Sequence, residues 1–390
     1  MPEASFIPLS VPNLSGNEKA YVNTAVETEW VSTGGPYVKD FEKAVASYVH
    51  SPMAVSCQNG TSGIHLALLL AHVGCDDAVI VPTLTFIAAV NPVMYVGASP
   101  IFMDCDDTLC LDPDKLEAYC VTQCRMDGNT LRDNRTGKHI KAIIVVHVFG
   151  EMANMEKILT IAAHYHFHVI EDATEAIGTY YTAGPYTGSF AGTLGFMGIF
   201  SFNGNKIITT GGGGMIVSKD KPLLQRAMHL STQAKSDELH YLHDEVGYNY
   251  RMTNLQAALG LAQMEQLERF IEAKNSNYEF YKEHIKDIAG VHLLPFRTDV
   301  RSNHWFYSLF IDDHFPLTRN EVIAEFSACN IQTRPVWGLI HEQVPYKSCY
   351  AYDIERAKFY QEHIVNIPCS TNITRDEMVR VVSCLQRMSK

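Results

Sequence analysis

Hydrophobic residues recur in two alternating patterns along the first half of the chain. Apolar runs of strand length are MAVSCQ, AVIVPTL, PIFMDCD, AIIVVHVFG, FHVIEDA and MGIFSFN. Stretches with helical character lie between several of them, namely SGIHLALLLAH, FIAAVNPVMYVG and MEKILTIAAHYH. This alternation predicts an α/β protein with a mainly parallel sheet that is covered by helices on both faces.

The pattern changes in the second half of the chain. Residues 252–285 form one long amphipathic helical stretch, and shorter mixed elements follow it. A chain of 390 residues exceeds one ordinary hydrophobic core. We therefore predict a large domain over residues 1–275, which includes the N-terminal segment, and a smaller α+β domain over residues 276–390.

Composition and charge narrow the functional classes. The chain is 46% hydrophobic and 19% charged, which is typical of a globular protein. Its net charge of -12 argues against nonspecific binding to nucleic acid or to an anionic membrane. We see neither a signal peptide at the N-terminus nor a run of about 20 apolar residues that could span a bilayer. The sequence thus predicts a cytoplasmic protein without a membrane or nucleic-acid partner.

Cysteine and histidine do not form a recognisable metal motif. The ten cysteines are scattered and lack the paired short spacing of a zinc site. His164, His166 and His168 alternate in HYHFH, which predicts the entry to a strand with all three side chains on one face. Because no acidic or cysteine cluster accompanies them, we expect structural histidines and no metal.

A candidate phosphate site lies in CQNGTSGIHLAL. A strand passes through Asn59 and Gly60 into a helix that is predicted to begin near Thr61, so backbone N–H groups and hydroxyls gather at a helix N-terminus. The segment matches neither GxxxxGK[ST] nor GxGxxG, which argues against a P-loop enzyme and a dinucleotide oxidoreductase. The alternative is that these residues only turn the chain and cap the helix.

Two acidic residues end an apolar strand in FHVIEDATEAIG. A buried carboxylate at Glu171 or Asp172 needs a cation or a protonated heterocyclic nitrogen as its partner. The alternative is a helix N-cap at Asp172, because the following residues resemble a capping box.

One lysine separates an apolar strand from four consecutive glycines in IFSFNGNKIITTGGGGM. Lys206 is therefore predicted at the carboxyl edge of the sheet, where open α/β proteins bind their ligands. A phosphate site, a strand-end carboxylate and an amine together meet the needs of pyridoxal 5′-phosphate, which uses the amine to form a Schiff base. Phe86 could supply an aromatic plate over the cofactor ring, and its alternative role is that of a core residue.

These motifs make the sequence recognisable. VPTLTFIAAVNPV, EDATEA, SFNGNK with TTGGGG, and GYNYRMTNLQAALGLAQ resemble the DegT/DnrJ/EryC1/StrS family of sugar-nucleotide aminotransferases, and the likeness covers nearly the whole chain. It implies the aspartate aminotransferase fold, or fold type I of the pyridoxal phosphate enzymes, with a seven-stranded sheet. STQAKSDELHYLHDEVGYNYRMTN, PLSVPNLSGNE and HVFG are similar to the 4-aminotransferases that serve legionaminic acid or bacillosamine synthesis.

The resemblance implies a role for each matched residue. Lys206 would form the Schiff base, Asp172 would pair with the pyridine nitrogen, and Phe86 would stack on the ring. Asn249 would reach the phosphate of the neighbouring subunit, which implies a homodimer with composite active sites. The other cofactor contacts carried over are Gly60, Thr61, Ser201 and Glu175.

Some positions depart from the family or carry less specific expectations. Many members have Gln at the position of Glu175, beside the phenolic oxygen of the cofactor, and Glu at the position of Gly212. A nucleotide diphosphate needs cationic contacts, and the candidates on matching segments are Arg251, Arg334 and His341.

The resemblance predicts transfer of an amino group from L-glutamate to C4 of a nucleotide-linked 4-keto-6-deoxy sugar, with an acetamido group at C2. Three alternatives are a 3-keto sugar-nucleotide aminotransferase, a noncatalytic regulatory protein and a pyridoxal enzyme for free amino acids. Family members that dehydrate a sugar have His at the lysine position, and Lys206 argues against that activity.

Overall fold

The computed structural model describes residues 5–390. Its β-strands are β1 (Ala54–Cys57), β2 (Asp77–Pro82), β3 (Ser99–Met103), β4 (Cys124–Asp127), β5 (Thr130–Asp133), β6 (His139–Val146), β7 (His168–Asp172), β8 (Tyr180–Tyr181), β9 (Met197–Ser201), β10 (Gly214–Val217), β11 (Lys235–Asp237), β12 (Leu242–His243), β13 (Val291–Leu293), β14 (Val300–Arg301), β15 (Tyr307–Ile311), β16 (Arg334–Pro335), β17 (Tyr350–Tyr352) and β18 (Ile364–Ile367).

The α-helices precede, separate and follow these strands. They are α1 (Glu18–Glu27), α2 (Pro36–Tyr48), α3 (Gly60–Leu70), α4 (Asn91–Tyr95), α5 (Pro113–Gln123), α6 (Met155–Tyr165), α7 (Lys221–Ser231), α8 (Asn254–Met264), α9 (Leu267–Ile285), α10 (Arg319–Ala328), α11 (Arg356–His363) and α12 (Arg375–Met388).

A large, mainly parallel sheet forms the centre of the molecule, as predicted. Its strand order is β1-β10-β9-β7-β6-β2-β3-β17, and the β4–β5 hairpin joins it through β6. Strand β10 is antiparallel to both of its neighbours, whereas the pairs from β9 to β17 are parallel. The predicted seven strands run from β1 to β3 in this order, and β17 extends the edge beside β3.

Burial explains why these strands read as continuous apolar runs. Every residue of β1, β2, β9 and β10 is buried, because helices cover both faces of the sheet. The parallel arrangement places the carboxyl ends of β1, β7 and β9 at one edge. Since β10 runs the other way, its first residue, Gly214, lies at the same edge between Cys57 and Ser201.

Two local expectations from the sequence are wrong. The predicted helix over residues 86–97 is a 3₁₀ turn at Ile87–Ala89 followed by the short helix α4, because Pro92 suits only the first turn of a helix. His164 lies in the last turn of α6, His166 caps that helix in the left-handed conformation, and His168 begins β7. These histidines therefore do not line one face of a strand.

The C-terminal region contains a separate small sheet. Its antiparallel order is β13-β15-β18-β16. The long helical stretch before it breaks at Glu265 and Gln266 into α8 and α9. The division of the chain near residue 275 stays a prediction, and it falls within the continuous helix α9. Among residues 5–390, no helix combines the length and apolar character that a membrane crossing requires.

Gly198 provides a test of packing beside the site. A Cβ atom there would overlap the backbone carbonyl of Gly192. We expect Gly198→Ala to lower the free energy of unfolding by about 1–3 kcal/mol, measured by urea denaturation. Gly74→Ala is the control, because no atom lies within 4 Å of its added Cβ. Equal stability of the two variants would contradict this packing.

Candidate active site

A cavity of about 500 Å³ opens at the carboxyl edge of the central sheet. It brings together predicted residues from the ends of four strands that are distant in sequence. The predicted residues that line it are Gly60, Thr61, Phe86, Asp172, Glu175, Ser201 and Lys206.

The N-terminus of α3 forms one wall of this cavity. Asn59 caps the helix, and its Oδ1 accepts a hydrogen bond of 2.8 Å from the Ser62 N–H. The first N–H groups of a helix have no partner within it, so Gly60 and Thr61 present donors and a positive dipole end. A Cβ on Gly60 would lie 2.8 Å from Cγ2 of Thr174. Glycine thus permits close packing at a seat that suits phosphate.

Asp172 ends β7 and directs its carboxylate to the cavity. It is 4% exposed, and its Oδ1 accepts a hydrogen bond of 3.1 Å from the Thr174 N–H. No helix begins at residue 173, so the alternative of a helix N-cap is excluded. Burial raises the pKa of Asp172, although the Thr174 hydrogen bonds and the nearby Lys206 oppose this. Such a carboxylate suits a cationic ligand atom.

The neighbouring acid, Glu171, belongs to the core instead. Strand alternation turns it to the opposite face, where it accepts hydrogen bonds from His147 Nε2 at 2.9 Å and from three backbone N–H groups. His147 Nδ1 accepts from the Ala153 N–H, so Nε2 carries the donated proton. Burial would raise the pKa of Glu171, but these donors outweigh it and the pKa is lowered.

Lys206 sits in a turn that follows β9. Its N–H donates to the Asn203 carbonyl at 3.0 Å, and the loop closes through hydrogen bonds from Thr210 N to Phe202 O and from Phe202 N to Gly213 O. Its Nζ lies 3.5 Å from Glu175 Oε1 and 4.2 Å from the centroid of the Trp305 ring. The amine is therefore held between a carboxylate and an aromatic face.

Three of the four glycines after Lys206 have a backbone reason. Gly211 and Gly213 adopt φ values of 76° and 131°. A Cβ on Gly214 would lie 2.7 Å from the backbone carbon of Asn59. At Gly212 the nearest atom would be 3.6 Å away, an ordinary contact. The departure from the family at Gly212 is therefore not required by packing.

Glu175 is a buried acid beside the lysine. Its Oε2 accepts a hydrogen bond of 2.8 Å from the Phe149 N–H. Burial raises the pKa of Glu175 to about 7, although Lys206 and this hydrogen bond oppose the shift. A carboxyl group with such a pKa can hold or release a proton near neutral pH.

Sequence reasoning did not place three further aromatic residues in the cavity beside Phe86. Trp305, Phe306 and Trp337 line it. The indole N–H of Trp305 donates to the Asn205 carbonyl at 2.8 Å, and the buried Asn303 ties the Trp305 N–H to the carbonyls of Glu175 and Ile177. The segment NHWFYSLF reads only as a strand, so its approach to Lys206 could not be inferred locally.

Four predicted residues do not line the cavity. Asn249 and Arg334 are exposed. Arg251 is the main correction, because its guanidinium forms a two-pronged ion pair with the buried Glu42 and is not available as a cation in the cavity. His341 Nδ1 lies 2.6 Å from Thr83 Oγ1, and burial lowers its pKa.

The residues of the cavity fit pyridoxal 5′-phosphate. Phe86 is 57% exposed at its wall, which excludes the alternative of a core phenylalanine and leaves its ring available for stacking. The α3 N-terminus suits the phosphate, Asp172 suits the pyridinium nitrogen and Lys206 supplies the amine.

Comparison with known proteins decides the family. The profile of the DegT/DnrJ/EryC1/StrS aminotransferase family matches residues 12–386. The chain belongs to this family. GDP-perosamine synthase of Caulobacter vibrioides is 36% identical over 385 residues, which cover 98% of each chain. EpsN of Bacillus subtilis, provisionally named a pyridoxal phosphate-dependent aminotransferase, is 36% identical over 97% of this chain and 94% of EpsN.

Solved structures agree with this assignment. A DegT DnrJ EryC1 StrS aminotransferase from Brucella abortus is 25% identical, with a TM-score of 0.86 over 96% of this chain and 95% of that chain. The predicted fold, the aminotransferase class and the pyridoxal phosphate cofactor are thereby confirmed. The narrower likeness to legionaminic acid and bacillosamine enzymes stays a prediction, because the matched relatives include a GDP-perosamine synthase.

Glu175 should make the stability of the cofactor-free protein depend on pH. Its pKa is about 7 in the fold, above the ordinary 4.5, so its contribution is present below about pH 4.5 and is lost as the pH rises through 7. We expect the free energy of unfolding to fall less between pH 5 and pH 7 in Glu175→Gln than in the wild type.

Urea unfolding at both pH values measures this difference. Glu151→Gln is the matched control, because burial also raises the pKa of Glu151 to about 7 at a position outside the cavity. Without cofactor, the free energy of unfolding should fall less between pH 5 and pH 7 in Glu151→Gln as well, because this variant also loses a carboxyl group with a raised pKa. If the free energy of unfolding changed equally with pH in the wild type and in Glu175→Gln, the raised pKa of Glu175 would be contradicted.

Lys206 should carry the cofactor. Its amine lies in the cavity with the phosphate seat and Asp172. We expect borohydride to fix the cofactor on Lys206 in the wild type, as read by peptide mass spectrometry, and to leave Lys206→Ala unlabelled. Labelling of the buried Lys274 or of any other lysine would contradict the assignment.

Proposed function

We propose that this aminotransferase moves the amino group of L-glutamate to C4 of a nucleotide-linked 4-keto-6-deoxy sugar, with an acetamido group at C2, for synthesis of an amino sugar, a nonulosonic acid or a surface glycan. The observation that carries the proposal is one cavity that gathers the lysine amine, the strand-end carboxylate and the helix N-terminus. The likeness to GDP-perosamine synthase over nearly the whole chain supports the sugar nucleotide and the C4 position.

The protein residues have distinct tasks in this reaction. Pyridoxal phosphate, when bound, supplies an electron sink for the carbon that gains or loses the amino group. Asp172 would keep a proton on the ring nitrogen, and the N–H groups of Gly60 and Thr61 would hold the phosphate. Phe86 and Trp305 cover the reacting region with aromatic surface.

Lys206 is the group that moves protons. Its Nζ would act as the base, and the Trp305 ring, 4.2 Å away, would restrict the positions that the amine can take. Glu175, 3.5 Å away, can stabilise the protonated amine or accept its proton. One lysine therefore serves both half-reactions, with glutamate as donor and the keto sugar as acceptor.

The substrate diphosphate needs cations beyond those of the cavity. Among the described residues that line it, Lys206 is the only one with a cationic side chain. Arg334 is exposed, its Nη1 donates a hydrogen bond of 3.1 Å to the Thr333 carbonyl, and it lies three residues before Trp337. Arg334 and His341 remain our candidates for the diphosphate, and Arg251 is withdrawn because Glu42 neutralises it.

The acceptor claim is tested in a single half-reaction. The enzyme is first converted by L-glutamate to the amino form of its cofactor and freed of donor. We then expect the visible absorbance of the aldehyde form to return fastest with a UDP- or GDP-linked 4-keto-6-deoxy sugar. A 3-keto sugar nucleotide, a free monosaccharide and a 2-oxo acid are the comparison acceptors.

Each outcome of this panel discriminates between activities. Faster return with the 3-keto compound would favour the 3-aminotransferase alternative, and faster return with a 2-oxo acid would favour an enzyme for free amino acids. No response to any donor or acceptor, with cofactor bound, would favour a noncatalytic regulatory protein. UDP- and GDP-linked 4-keto-6-deoxy sugars, each with and without an acetamido group at C2, determine the specificity for the nucleotide and for the C2 substituent.

A homodimer with composite active sites is the second part of the proposal. Asn249 is exposed and lies outside the cavity of its own chain, which agrees with a role in a neighbour. We expect inactive Lys206→Ala and Asn249→Ala protomers to recover up to about one quarter of wild-type activity after mixing, because one site in each mixed dimer is intact. Mixed dimers without recovered activity would contradict this arrangement, and each variant mixed with itself is the control.

A further inference from the structure

Two thiols meet where helix α10 ends beside α12. Cys329 is the C-cap residue of α10 and Cys384 lies in α12, and their sulfur atoms are 3.1 Å apart. A disulfide bond is about 2.05 Å long, so an approach of about 1 Å would join them. Neither cysteine lines the active-site cavity.

A cation accompanies this pair of thiols. Arg387, one turn beyond Cys384, donates a hydrogen bond from Nη2 to Cys329 Sγ at 3.2 Å. A neighbouring arginine is one of the surroundings in which cysteine sulfur reacts readily with oxidants. Burial and the neighbouring Cys329 raise the pKa of Cys384 to about 12, so Cys384 stays a thiol. The two sulfur atoms therefore differ in their surroundings, because the arginine contacts Cys329 and burial keeps Cys384 protonated.

Cys329 is accessible from solvent, whereas Cys384 is buried. Cys329 is half-buried, and an open depression of about 280 Å³ leads to it. The two pairs of cysteines that are close in sequence, Cys105 with Cys110 and Cys120 with Cys124, are buried. Access and the adjacent arginine therefore distinguish the pair formed by Cys329 and Cys384.

We propose that Cys329 and Cys384 form a reversible modification site that a peroxide converts to an intramolecular disulfide. The Cys329 thiolate attacks one peroxide oxygen, the O–O bond breaks, and hydroxide leaves to give a sulfenic acid. The Cys384 thiol then attacks that sulfur, the S–O bond breaks and water leaves. The two thiols lose two electrons and two protons, and hydrogen peroxide is reduced to two molecules of water.

Substoichiometric hydrogen peroxide on the purified holoenzyme tests this proposal. We expect nonreducing peptide mass spectrometry to find the Cys329–Cys384 link before any other disulfide, and we expect a dithiol reductant to reverse it. Cys75, which is exposed, reports general oxidation in the same sample. Oxidised Cys75 beside an unlinked Cys329 and Cys384 would overturn the proposal.

Variants test the separate roles within the pair. Cys384→Ser should leave Cys329 as a sulfenic acid that dimedone traps, and Cys329→Ser should leave Cys384 unreacted. Arg387→Gln should slow cross-linking about tenfold, whereas the exposed neighbour Gln386→Ala should not. Equal rates in Arg387→Gln and the wild type would overturn the role of the arginine, and circular dichroism confirms that each variant is folded.

Discussion

The close contact of β1, β10 and β9 around Gly214 is the constraint on which the site depends. Gly214 pairs with Cys57 on one side and Ser201 on the other, and the Asn59 backbone leaves no space for a side chain. This contact fixes the start of α3 relative to the turn that carries Lys206. The phosphate seat and the reactive amine thus reach one cavity through backbone packing, with no direct bond between them.

Three buried acidic residues near this edge differ in the number of hydrogen bonds that they accept and in the direction of their pKa shift. Glu171 receives four hydrogen bonds and is stabilised as a charged core group. Asp172 has fewer donors, and Glu175 has one backbone donor and the lysine, so burial dominates both and raises their pKa values. A buried carboxylate with few partners is costly, which makes the two acids receptive to protons and to a cationic ligand. The lack of partners for these carboxylates lowers the stability of the cofactor-free protein and favours binding of the cofactor.

Sequence reasoning correctly located the functional residues that directly follow the ends of predicted strands. Strand ends followed by Asn59–Gly60, Asp172 and Lys206 could be placed at one edge, because parallel strands put their carboxyl ends together. It failed where the decisive contact is distant. The residues around Arg251 do not indicate that its guanidinium forms an ion pair with Glu42. The residues around Trp305 do not indicate that its ring lies over the amine of Lys206, 99 positions earlier. The prediction that His164, His166 and His168 lie on one face of a strand was wrong, because the segment spans the end of α6 and the start of β7.

Charge in the cavity explains why the nucleotide is harder to infer than the cofactor. Its charged lining residues are Asp172, Glu175 and Lys206, so it carries no surplus of cations for a diphosphate. The cofactor phosphate can be held by helix N–H groups, which depend on backbone geometry and are visible in the sequence as a strand-to-helix turn. In the reaction proposed above, a substrate diphosphate would instead need cations from outside this lining, such as the exposed Arg334. The strand-to-helix turn that predicts the phosphate site says nothing about such contacts, so the sequence predicts the cofactor more readily than the nucleotide.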